Sequence, residues 1–338
     1  MAVKFGVLVP QGWHLDLESV QGPEEKFEAM IRVGVEAEKL GFDSIWVYDH
    51  FHTVPFSKVE ANFECWIATT ALARATSKVR VGQMVTCNSY RPPSLLAKMA
   101  STVDVLSHGR LDFGIGAGWY EGEYLAYGYD FPDGPERLRM LGEALQIFHA
   151  MWTEEKATFE GKYYKINEAI NEPKGVQKPH IPIWVGGGGE KVTLKLVAKY
   201  ADACNIGGVN PDVYRHKFDV VRQHCEDVGR DYNSIIKSAE VFTHLVLPGQ
   251  TAEQATEKAR RDVGTLVGRD VSLADFREGN FTGYPQGFIG TPQEAVETYK
   301  SLVDAGVEYF IVYLSDAVNL DTLHAFAEEV LPAFRDQA

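Results

Sequence analysis

Leu40-Gly41-Phe42-Asp43-Ser44-Ile45-Trp46-Val47-Tyr48-Asp49-His50 is the stretch on which the fold turns. Before it, Phe27, Met30, Ile31, Val35 and Leu40 recur at helical spacing. Gly41 then closes that helix, since glycine takes the left-handed cap conformation at no steric cost. Residues 44–48 read as a short strand. At its end stand Asp49 and His50, two titratable groups where a strand gives way to a loop.

The same unit repeats outward in both directions. Strands are expected at 4–9, 44–48, 79–85, 111–116, 181–185, 203–206, 238–247 and 309–314. Helices are expected at 25–40, 66–75, 92–106, 136–152, 190–200, 211–228, 291–305 and 320–334. Pro92 and Pro93 suit a first helical turn. Residues 153–180 form an irregular excursion with a hairpin over 158–166 that turns at Gly161-Lys162. A second long insertion, 251–285, holds one helical segment and a Gly-rich loop. Strict strand–helix alternation gives a parallel sheet with helices outside. Eight such units in 338 residues favour a closed (β/α)8 TIM barrel over an open doubly wound sheet, with insertions after strands four and seven. One α/β domain over 1–338 is expected, since no low-complexity linker interrupts the pattern.

Composition narrows the function. Hydrophobic residues make up 45% and charged residues 24%, ordinary values for a globular protein with a large core. A net charge of -14 gives no general attraction for nucleic acid or an anionic membrane. The four cysteines, Cys65, Cys87, Cys204 and Cys225, form no CxxC pair and read as free thiols of a reducing compartment. Apolar stretches fall short of the roughly 20 residues of a membrane span. The N-terminus opens directly on the first strand, without the pattern of a signal peptide. A cytoplasmic protein that takes a small-molecule substrate is the expectation.

In such barrels chemistry sits at the C-terminal ends of the strands. That rule selects Pro10, Gln11, Gly12, Trp13 and His14; Asp49, His50, Phe51 and His52; Thr86, Cys87, Asn88 and Arg91; and Gly116, Ala117, Gly118 and Trp119. It also selects Gly186, Gly187, Gly188 and Gly189, then Gly207 and Gly208, then Ser315 and Asp316. The four-glycine run joins a strand end to a helix start, where backbone N–H groups can cradle an anion. It reads as a phosphate site for a cofactor tail, with Gly207-Gly208 closing the cradle and Lys191 and Thr193 assisting; the alternative is a tight turn and nothing more. It is neither a Walker loop nor a Rossmann fingerprint. His50-x-His52 is either half of a metal site, for which no further ligands stand out, or holds an acid/base histidine beside a redox ring; the bland alternative is a capping Asp49 with a packed His50. Arg91 is a surface charge, a phosphate contact or an ion-pair partner. Trp13, Trp119 and Tyr120 are either walls around a flat ring or packing residues.

Three motifs resemble the luciferase-like family of flavin- and deazaflavin-dependent oxidoreductases. They are the 40–50 stretch quoted above; Gly114-Ile115-Gly116-Ala117-Gly118-Trp119-Tyr120-Glu121-Gly122-Glu123-Tyr124 with Gly128 and Arg137; and Ile181-Pro182-Ile183-Trp184-Val185-Gly186-Gly187-Gly188. The likeness implies FMN or coenzyme F420 held in the barrel mouth, with F420 the expected cofactor and FMN the alternative. It implies a non-prolyl cis peptide between Met84 and Val85 behind the ring, and Ala117, Gly118 and Trp119 beside it. His50, accompanied by Asp49, would face the ring and substrate as the catalytic proton partner. The tail phosphate would lie at Gly186, Gly187, Gly188, Gly189, Gly207 and Gly208. The implied activity is hydride transfer between F420 and a small organic substrate. The alternatives are an FMN-dependent monooxygenase using O2 and a non-catalytic F420- or FMN-binding protein. Family members are commonly homodimers. The chain also departs from the family's sugar-phosphate dehydrogenases. Trp119 stands where they carry a catalytic glutamate, and Val54-Pro55 where they carry a tryptophan, so glucose-6-phosphate is not the expected substrate.

Overall fold

Two glycines make the barrel interior possible. A Cβ on Gly6 would come within 2.5 Å of the Trp46 indole nitrogen, and one on Gly82 within 2.3 Å of the same ring. Their absent side chains leave room for Trp46 inside the ring of strands, where it meets Trp184 edge-on at 4.9 Å. Tyr309 meets Trp184 at 5.0 Å and donates to Ser44 Oγ at 2.7 Å. The Trp46 indole N–H donates to the same hydroxyl at 2.6 Å. This layer is the floor beneath the catalytic end. Removing such a buried indole costs about 3–5 kcal/mol.

The computed structural model describes residues 3–335 apart from 268, 274, 276–286 and 315. Eight parallel strands close into a ring: Lys4–Leu8, Ser44–Val47, Arg80–Gln83, Leu111–Gly116, Ile183–Gly186, Ala203–Gly207, Ile236–Leu245 and Tyr309–Leu314, the last pairing back onto the first. The (β/α)8 barrel expected from the alternation is the architecture found. Helices Pro23–Leu40, Cys65–Ala75, Pro93–Leu106, Gly134–Thr153, Thr193–Tyr200, Pro211–Val228 and Pro292–Asp304 lie between successive strands. Their apolar faces pack on outward side chains such as Val7, Ile45, Phe113 and Val241. Gly41 closes the first helix at φ 82°, as expected.

Four details differ from the sequence reading. The third strand, expected to run through 85, stops at Gln83 and resumes only over Thr86–Cys87; the cis peptide expected between Met84 and Val85 is present at that break. The loop after strand four contains a helix, Glu121–Ala126, too short for periodicity to reveal. The helix after strand five starts at Thr193 rather than near 190, because Leu194 N–H reaches back to Gly189 across a turn. The last helix breaks into Asp321–Ala325, a π-type turn Phe326–Val330 and Pro332–Arg335; Pro332 has no N–H to continue the ladder. The expected hairpin is present as Ala157–Glu160 and Lys165–Ala169. After strand seven, helix Ala252–Val267 is followed by Phe288–Gly290, which pairs beside that strand. The Gly-rich loop expected there and Ser315 fall on positions outside the described residues. Among the described residues no helix is long and apolar enough to cross a membrane.

Candidate active site

The C-terminal ends of the strands enclose a cavity of about 780 Å³, within the range of cofactor and small-ligand sites. His50, Asp49, Met84, Val85, Ala117, Gly118, Trp119, Gly186, Gly187, Gly188 and Gly207 all line it. Sequence reasoning therefore brought together one continuous surface. Gly189 and Gly208 stand behind it. Gly189 packs toward Thr193, and Gly208 bonds the Glu240 carbonyl and the Tyr214 hydroxyl.

His50 is fixed from behind. Its Nδ1 lies 2.9 Å from Glu123 Oε2, on the short helix Glu121–Ala126. The Glu123 carboxylate is wholly buried and also accepts from the Tyr90 hydroxyl and the Phe51 N–H, each at 2.5 Å. Burial alone would raise its pKa; the bonds from His50, Tyr90 and Phe51 prevail and hold it below the ordinary glutamate value. Glu123 is thus a carboxylate at neutral pH, and it acts as acceptor for Nδ1–H. That leaves Nε2 as the ring nitrogen not engaged by Glu123, on a histidine that lines the cavity. His52 is not a second ligand beside it: its Nδ1 engages the Thr53 carbonyl at 2.9 Å. Among the described residues no group of three His, Cys, Asp or Glu side chains could hold a metal ion.

Asp49 is occupied by Arg91, which settles the three readings of that arginine in favour of an ion pair. The contact is bidentate, at 2.7 and 2.9 Å, and Glu64 joins it. Burial disfavours the guanidinium charge, but Asp49 outweighs it and the Arg91 pKa is raised. Asp49 Oδ2 also accepts the Cys87 N–H at 2.8 Å. With both oxygens so engaged, Asp49 ties the ends of strands two and three together in the cavity wall.

A slot for a flat ring lies beside these groups. Val85 pushes inward at the cis bond, and three glycines make way for it. A Cβ would come within 2.8 Å of Val85 from Gly116, 3.0 Å from Gly186 and 3.3 Å from Gly114. Trp13 is buried across the cavity, and its ring lies parallel to His50 at 5.5 Å. Trp119 stands at the rim with 51% of its surface exposed.

The glycine turn faces the cavity's other end. Gly187 adopts φ +117° and donates its N–H to Asn205. A Cβ on Gly188 would meet nothing nearer than Lys217 at 3.7 Å, so its backbone is open to the cavity. Lys217, on helix Pro211–Val228, lines this end and pairs with Glu190 at 2.6 Å. Sequence reasoning named Lys191 instead, which does not line the cavity; a lysine reaching in from a following helix carries no motif. Glu240 and Tyr48 were missed too. Glu240 lies on strand seven, and the Tyr48 hydroxyl donates to its Oε1. Its one available signal was strand alternation, which puts Glu240 on the inward face with Ser238 and Phe242.

An apolar slot backed by a strand-end bulge, joined to a glycine turn with a lysine beside it, fits a flat ring carrying an anionic tail. A barrel of this kind is a cofactor-binding enzyme scaffold, and the sequence places it further. Residues 3–309 match the luciferase-like monooxygenase family, and the chain belongs to it. It is 33% identical over 320 residues to an F420-dependent glucose-6-phosphate dehydrogenase of Kineococcus radiotolerans, covering 89% of this chain and 91% of that one. The fold is shared with an F420-dependent secondary alcohol dehydrogenase solved with an F420–acetone adduct, at a TM-score of 0.80 and 22% identity over 99% of this chain and 100% of that one. It is shared as well with a monooxygenase of Streptomyces bottropensis, at a TM-score of 0.77 and 19% identity over 97% and 99%.

Proposed function

We propose that this chain is an F420-dependent oxidoreductase acting on a small organic substrate. One observation supports it most: a single cavity runs from the glycine turn and Lys217 to His50, so an anionic tail and a reacting ring fit in one continuous space. The relative in Kineococcus uses F420 over a nearly full-length match, which favours F420 over FMN. Bound there, the deazaflavin would give or take a hydride at C5.

The protein's own part is position and proton handling. Gly186, Gly187, Gly188 and Gly207 would take the tail, assisted by Lys217. Met84 and Val85 would back the ring, with Ala117, Gly118 and Trp119 along its edge. His50 Nε2 would accept the proton of an alcohol as it is oxidised, or return it to the oxygen of a carbonyl as it is reduced. Glu123 keeps Nδ1 protonated, so Nε2 is a base in the neutral ring, and the carboxylate steadies the imidazolium that forms. A homodimer of single-domain chains, working in the cytoplasm, completes the reading; its four cysteines are all unpaired, as a reducing compartment allows.

Titration of the apo-protein with F420 and with FMN, followed by tryptophan quenching, tests the proposal. The expected result is F420 binding much tighter than FMN, with no oxygen uptake during turnover. Tighter FMN binding with oxygen uptake would move the chain to the monooxygenases. F420 binding without turnover on any alcohol, aldehyde or enone would make it a carrier. His50→Ala is expected to lower turnover about a hundredfold while F420 affinity stays within about threefold; unchanged turnover removes His50 from its role.

A further inference from the structure

Resting on the F420 reading, we propose that Glu240, held by Tyr48, determines specificity at the substrate end of the cavity and selects an uncharged alcohol or carbonyl compound over a phosphorylated sugar.

The geometry is a carboxyl with one anchor. Strand seven turns Ser238, Glu240 and Phe242 inward, while Ala239 and Val241 pack outward on the helices. Glu240 lines the cavity, and Tyr48 reaches from the end of strand two to donate to its Oε1. Among the described residues no lysine, arginine or histidine pairs with it. Oε2 has no protein partner there and remains for a bound molecule. Burial pushes this carboxyl up to about 7, the Tyr48 bond opposing the rise. Near neutral pH it is divided between a protonated form, which can donate to a ketone, and an ionised form, which accepts from an alcohol.

The surroundings choose between substrate classes. Trp13, Tyr48 and Phe242 give this end aromatic walls. Lys217 is the only lysine or arginine among the described residues that line the cavity, and it stands at the glycine turn, already paired with Glu190. Among the described residues no cation stands at the Glu240 end to meet the two negative charges of a sugar phosphate.

Two measurements test the inference. The first uses infrared difference spectroscopy on the protein without cofactor, with cyclohexanone as probe. A protonated-carboxyl band near neutral pH, absent from Glu240→Gln and shifted by cyclohexanone, is expected. An unshifted band at saturating cyclohexanone overturns the proposal, whatever the cofactor proves to be. The second uses the F420-loaded enzyme with cyclohexanol and with glucose-6-phosphate. Glu240→Ala is expected to raise KM for cyclohexanol about tenfold with kcat within about threefold, and Glu240→Gln to keep KM within about threefold, since the amide still donates and accepts. F420 affinity should be unchanged in both. Unaltered KM in Glu240→Ala, or glucose-6-phosphate as the better substrate, overturns the assignment. Failure to bind F420 at all refutes the cofactor reading and leaves the infrared result to decide the role of Glu240.

Discussion

Nδ1 of His50 stands 2.9 Å from Oε2 of Glu123, a carboxylate without solvent exposure that closes three further contacts to the 51–52 backbone and Tyr90. One buried charge thus orients the histidine and pins the loop that carries it.

Glu123→Gln puts an amide N–H against groups that are themselves donors. A loss of about 2 kcal/mol in urea unfolding at neutral pH is expected, with turnover reduced because Nδ1 no longer has a fixed anionic acceptor. The pH dependence follows from the sign of the shift. Glu123 is held below its ordinary value of 4.5, so its stabilising contribution is present above that value and is lost as pH falls through the lower folded value. The wild type should lose stability on acidification more steeply than the variant. Parallel acid limbs would show that Glu123 is not ionised in the fold.

How much of this was legible depended on the length scale of each signal. The barrel was legible because each unit is long enough to show its period and Gly41 marks a helix end. The glycine turn and His50 were legible because they follow strand ends directly. Glu123 was quoted within a motif but given no role, since a one-turn-plus helix has no periodicity to announce which side it presents. Lys217 gave no signal and Glu240 only its strand alternation, for a different reason: one arrives from a helix after strand six, the other sits within a strand, and only closure of the ring brings them to the same cavity.

Arg91 tests the charge pair at the cavity wall. The Asp49 carboxylate has no exposed surface, and Arg91→Ala leaves it without its cation. Such a loss is expected to cost about 3–5 kcal/mol. Replacing both partners, Arg91→Met with Asp49→Asn, should cost clearly less than Arg91→Ala alone, because no unpaired charge is left buried. Urea midpoints of the three variants check this, and equal losses would contradict the pairing.

Two glycines of the site should respond to alanine in opposite ways. A Cβ on Gly118, at φ +77°, would stand 2.0 Å from the Tyr124 hydroxyl and 2.7 Å from Cys87 Sγ. Gly118→Ala should therefore lower Tm by several degrees, about 1–3 kcal/mol of overpacking and backbone strain. Gly188→Ala meets only Lys217 at 3.7 Å and fills cavity space instead. Its Tm should stay within about 2 °C while F420 affinity falls about tenfold, a change of about 1.4 kcal/mol. Calorimetry and fluorescence titration on the same two proteins separate these outcomes.

Lys217 and Glu190 make the sharpest electrostatic test of the tail site. Glu190 draws the lysine at 2.6 Å and His216 at 3.0 Å, so the cation that lines the cavity at the glycine turn is partly neutralised before anything binds. An arriving anionic tail has to compete with that carboxylate. Lys217→Ala should weaken F420 binding, by about fivefold on the scale of a partly exposed ion pair. Glu190→Ala should do the reverse and tighten it by about twofold, since the lysine is released toward the cavity. Both effects should shrink with added salt, because screening reaches about 8 Å at physiological ionic strength. Titrations at low and high salt check the pair of signs. If Glu190→Ala weakens binding instead, Glu190 is needed to hold Lys217 in place, and the lysine acts through that pair rather than as a free charge.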